Sequence, residues 1–123
     1  MTVLAAATPL DTAGETEWRD WRWKHRVLVD LAPEKSRPPT WGTAAAMAGA
    51  SERALLLRRV ADAEAGAALR RRWDLAPSTR VVLIGLDGGV KAAYEQWPLP
   101  GAVFRVIDAM PMRRQQMEER VPP

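Results

Sequence analysis

The chain has 123 residues, 47% hydrophobic and 27% charged, proportions of one globular domain that hides about two-thirds of its extended surface on folding. It carries no cysteine and one histidine, His25. That excludes disulfides, thiolate metal sites and thiol–disulfide chemistry, and leaves the common zinc and Ser-His-Asp sets without their members. Fifteen arginines and three lysines stand among fifteen acids for a net charge of +3, a modest excess and not a dedicated nucleic-acid stripe.

Residues 1–16 read as a flexible arm ahead of a domain over 17–120. Met1 to Ala7 is apolar but has no basic start and is short for a signal peptide. Localisation stays open at this point: the chain as written reads as cytoplasmic, and an export signal whose beginning is missing is the alternative. No apolar run approaches the roughly 20 residues needed to cross a bilayer. Neither a transmembrane segment nor a cofactor is expected.

The first ordered feature is Trp18-Arg-Asp-Trp21-Arg-Trp23-Lys24. Trp18 and Trp21 share a helical face, and indoles bury large area behind one polar tip. Val27 to Ala32, rich in β-branched residues and ended by Pro33, predicts a buried strand. Pro38-Pro39 permits a helix start, and the alanine-rich run from Thr40 to Ala50 predicts a short helix weakened by glycine.

Ala54 to Val60 predicts a second buried strand, followed by a helix from about Asp62 to Trp73. Arg70, Arg71 and Arg72 fall near the end of that helix, where cations complement its dipole. Arg80 to Leu86 and Val90 to Glu95, joined by Asp87-Gly88-Gly89, predict a hairpin whose turn needs the positive φ that glycine supplies. Leu99, Val103, Val106, Ile107 and Met110 mark one helical face. Pro111 interrupts it, and Met112 to Arg120 forms a second, charged piece.

Strand, helix, strand, helix, hairpin, helix is the order of a thioredoxin-like α/β fold. It implies a mixed four-stranded sheet, a parallel pair plus an antiparallel hairpin, flanked by helices. The stretch Val29-Asp30-Leu31-Ala32-Pro33-Glu34-Lys35-Ser36-Arg37-Pro38-Pro39 is similar to the thioredoxin strand that leads into the redox motif. Counting from Asp30, Ser36 and Pro39 stand at the two cysteine positions. Three blocks, Trp23 to Val29 with Ala32-Pro33, Leu83 to Lys91, and Ile107 to Arg114, together resemble the bacterial family catalogued as domain of unknown function 4174. Its animal relatives are domains of secreted matrix and sushi-repeat proteins. The likeness spans roughly Trp18 to Glu118 and implies a thioredoxin-like fold, no established activity, and members that are often exported.

Several residues are candidates for function. Asp30, in a central strand, is expected to be buried, where an ionised carboxylate is disfavoured; near a strand end it would instead pair with a neighbouring base. Ser36 and Arg37, expected at the N-terminus of the first helix, form with Asp30 a candidate small-anion site, against the simpler reading of a serine cap. Trp18, Trp21 and Trp23, with Arg113 and Arg114, are candidate partner-binding residues; buried, the tryptophans would only seal the sheet.

The leading expectation is a non-redox domain that binds a protein partner or a second copy of itself. An enzyme or anion binder using the Ser36/Arg37 helix terminus is the alternative. Weak nucleic-acid binding through Arg58-Arg59, Arg70-Arg71-Arg72 and Arg113-Arg114 is the second. His25, isolated from other ligands, reads as a surface residue, and no metal is expected.

Overall fold

A computed structural model of the protein describes residues 9–10 and 19–119. Five strands form one mixed sheet: β1 (Pro9–Leu10), β2 (Arg26–Asp30), β3 (Leu55–Val60), β4 (Val81–Ile84) and β5 (Val90–Tyr94), in the order β1-β3-β2-β4-β5. β2 and β3 run parallel, with Val27 opposite Leu56 and Val29 opposite Arg58. β2–β4 and β4–β5 are antiparallel. The layout fits a thioredoxin-like architecture. The sheet has one strand more than the expected four, because the two residues of β1, within the segment read as an arm, pair parallel with β3.

The helices are α1 (Ala44–Glu52), α2 (Ala63–Arg72), α3 (Pro100–Asp108) and α4 (Pro111–Glu119), with a 3-10 turn at Pro39–Gly42. β2 and β4 are buried throughout, because helices cover both faces of the sheet and side chains alternate between them. On one face Val27, Val29, Val60, Val82 and Ile84 pack with Ala65 and Leu69 of α2, and Trp21, Trp73 and Leu75 close the margin. On the other, Leu28, Leu55, Leu57, Val81 and Leu83 meet Trp41, Ala50, Val103 and Ile107.

α2 lies close to the sheet because Gly66 is in its buried face: a Cβ there would meet the Leu31 carbonyl oxygen. Asp62 caps the helix, its Oδ1 accepting the Ala65 N–H at 2.8 Å. The β4–β5 turn closes with Gly88 at φ +84, and Asp87 Oδ1 accepts the Gly89 N–H at 2.9 Å.

Two boundaries differ from expectation. The first helix begins at Ala44, not Thr40, because Thr43 Oγ1 caps it through the Ala46 N–H at 3.1 Å. Pro39 opens only the preceding 3-10 turn. Leu99 and Val106, expected on a buried helical face, are 65% and 37% exposed; that face buries Val103 and Ile107.

Candidate functional site

Asp30 is the last residue of β2 and is 5% exposed. Its Oδ1 accepts the Ala32 N–H at 2.9 Å and lies 3.5 Å from Arg80 Nε. Arg80 Nη2 donates to the Lys35 and Ser36 carbonyls at 3.2 and 3.1 Å. The guanidinium thus ties the loop after β2 to the strand end. Ser36 and Arg37 are exposed in that loop, eight and seven positions before Ala44, so they do not form a helix N-terminus. The geometry expected of an anion site there is absent, because Pro38-Pro39 keeps the loop extended until the 3-10 turn.

The arginines also separate. Arg113 is 1% exposed and so does not lie on the surface a partner would touch. Its Nε donates to Asp108 Oδ1 at 3.3 Å, and its Nη2 to Glu52 Oε1 at 3.2 Å. Arg114 is exposed. Arg70 Nε donates to the Thr79 carbonyl at 2.7 Å, and the Arg58 guanidinium sits 5.5 Å from the Trp21 ring.

Trp18 lies outside the described residues, and Trp21 is half-buried. Trp23 is 57% exposed and adopts φ 70, a left-handed conformation costly for a bulky side chain. The chain holds it there through its N–H, which donates to the Leu86 carbonyl at 2.6 Å. The Arg22 guanidinium lies 5.4 Å from the Trp23 ring centroid.

Two recesses flank the β4–β5 turn, and Gly85 and Asp87 line both. The first is a cleft of about 450 Å3 lined by Arg19, Trp21, Arg22, His25, Arg72 and Trp73, among others. Its one carboxylate, Asp87, is paired with Lys91 Nζ at 2.8 Å. That lysine and the Gly89 N–H hold the Asp87 carboxyl below its ordinary range. His25, expected on the surface, is half-buried, and its Nδ1 has no hydrogen-bond partner among the described residues.

The second recess, about 310 Å3, is lined by Arg26, Gly85, Leu86, Asp87, Lys91, Met110, Pro111 and Met112. His25 and Arg26 are consecutive, yet each lines a different recess, as alternation at a strand start dictates. Arg26 is 1% exposed and donates from Nη1 to the Arg53 carbonyl at 2.8 Å. Burial first, then Arg113 beside it, lowers the Arg26 guanidinium from its ordinary range, with Asp108 opposing. Arg53 in turn grips Asp108, Nε at 3.0 Å and Nη2 at 2.9 Å. These bonds hold the Asp108 carboxyl below its ordinary range, Arg53 first and Arg113 after it, against burial. Among the described residues no group of three or more His, Cys, Asp or Glu could hold a metal ion. Nor is any described helix long and apolar enough to cross a membrane.

Sheet, helices and recesses define a cysteine-free mixed α/β domain with two recesses beside one hairpin turn. A family profile described as Domain of unknown function (DUF4174) matches residues 18–116. The chain belongs to that family. No curated protein and no solved structure gives a match. Every residue lining the second recess falls within the three blocks on which the family likeness was read. Sequence reading passed over Arg26 because it sits one place before the apolar run of β2. A charged residue leading straight into a buried strand was the available signal.

Proposed function

We propose that this chain is a non-redox, thioredoxin-like binding module that takes an acidic segment of a protein partner in the cleft beside Trp23. The carrying observation is Trp23 itself, exposed, in a left-handed backbone conformation, with Arg22 stacked on its ring. Backbone strain at an exposed aromatic is a mark of function, since it persists only where surrounding structure enforces it. Tryptophan and arginine are the side chains that most often anchor interfaces.

Charge supports the choice of partner. Arg19, Arg22 and Arg72 line the cleft, and its one carboxylate is neutralised by Lys91. Arginine forks pair with carboxylates in two-pronged fashion. The test is selection from a displayed peptide library on the purified protein. Enrichment of acidic sequences that is lost in Arg22→Glu supports the reading. Enrichment of neutral or basic sequences overturns it, as does acidic binding unchanged in Arg22→Glu.

A further inference from the structure

His25 is the one histidine of the chain, and it lines the cleft beside Trp23. Its backbone is fixed on both sides: the His25 N–H donates to the Trp21 carbonyl at 2.8 Å, and the Arg26 N–H to the Ala54 carbonyl at 2.8 Å. The two ring nitrogens then differ. Nδ1 is sealed from solvent and has no hydrogen-bond partner among the described residues. Nε2 is neither sealed in this way nor bonded to a described residue, so the polar edge that the ring offers to the cleft is Nε2.

Neutral imidazole carries its proton on one nitrogen and leaves the other a bare acceptor. A buried N–H without an acceptor is the costlier of the two defects, since nothing replaces the hydration it loses. A proton on Nε2 avoids it, because that N–H reaches the cleft, where water or a ligand accepts. The surroundings are cationic. Arg19, Arg22 and Arg72 line the cleft, and the Asp87 carboxylate is met by Lys91 Nζ at 2.8 Å. Arg22 runs past the β4–β5 turn, its Cδ 3.8 Å from the place a Cβ on Gly88 would take. The arginines supply charge and several donors each, whereas one imidazole N–H on a ring anchored at the start of β2 supplies a single fixed direction.

We infer that His25 is the neutral, direction-setting donor of this cleft, its Nε2–H donated to a carboxylate oxygen of the bound acidic segment. The inference rests on the peptide-binding reading of the cleft and adds to it the residue that orients the acid.

The test is nitrogen magnetic resonance of the full chain at about pH 8.5, where imidazole is ordinarily neutral, with tetraglutamate as the probe. A single histidine makes the two ring-nitrogen signals unambiguous. The expected result is a proton on Nε2 and a saturable shift of the Nε2 signal as tetraglutamate binds. His25→Leu removes the donor and should weaken tetraglutamate by about tenfold, as for a hydrogen bond to a charged group. His25→Gln keeps an N–H near the Nε2 position and should recover most of that loss. If His25→Leu does not fold, the resonance signals of the parent decide alone. A proton on Nδ1, or an Nε2 signal unmoved by bound tetraglutamate, overturns the inference and leaves the peptide reading standing. So does unweakened binding in His25→Leu, or equal weakening in the leucine and glutamine variants. Tetraglutamate that fails to bind, or that binds Arg22→Glu as well as the parent, overturns the peptide reading and this inference with it.

Discussion

Arg53 meets Asp108 side-on, Nε to Oδ1 at 3.0 Å and Nη2 to Oδ2 at 2.9 Å, and thereby joins the end of α1 to the end of α3. Lysine at position 53 would keep the charge and lose the second bond. Arg53→Lys is expected to lower unfolding free energy by about 1–2 kcal/mol, a charge-assisted hydrogen bond discounted for the partial exposure of Asp108. Urea denaturation monitored by circular dichroism measures it; an unshifted midpoint contradicts the role given to this pair.

Acid should weaken the fold through the same carboxylate. Asp108 titrates below its ordinary 3.8 in the folded protein, so the unfolded chain takes up its proton first as pH falls. The stability it contributes is complete above its ordinary pKa and is lost as pH drops through the lower, folded value. Unfolding free energy measured between about pH 5 and pH 2 should fall less steeply in Asp108→Asn than in the parent. Equal slopes would remove Asp108 from the account.

Glycines 66 and 101 should respond oppositely to alanine. At Gly66 the new methyl group meets the Leu31 carbonyl, whereas at Gly101 nothing lies within 4 Å. Gly66→Ala should cost about 3 kcal/mol or prevent folding, because backbone cannot yield as a side chain does. Gly101→Ala, in the exposed first turn of α3, should gain about 0.5–1 kcal/mol. Thermal melts of the two variants give the comparison.

At Trp23 stability and binding should part company. Glycine accepts φ 70 without strain, so Trp23→Gly should raise unfolding free energy by about 1 kcal/mol. The same variant removes the exposed indole and should lose affinity for an acidic peptide. A variant that is destabilised and still binds would show that Trp23 is packed for structure alone.

The strand and helix order was legible from apolar runs and turn chemistry. The helix start near Asp62, the hairpin at Gly88 and the parallel pairing of β2 with β3 follow from local rules and connection length. The candidate sites were less legible, since they depend on contacts distant in the chain. Ser36 looked like a helix start by analogy with position, but a proline pair and the Thr43 cap moved that start to Ala44. Arg113 looked like a surface cation beside Arg114, whereas Glu52 and Asp108, 61 and 5 positions away, draw it into the interior. Arg26 was hidden at the edge of an apolar run, and its place in a recess wall appears only once Met110 and Met112 fold back beside it.

Burial of Arg113 makes α4 an integral part of the domain and not a trailing appendage. A protease cut or stop codon placed ahead of Pro111 would strip Glu52 and Asp108 of a shared cation and remove Met112 from the wall beside Arg26. Fragments ending there should be poor folders. Fusions intended to leave the recess intact should be joined beyond residue 119.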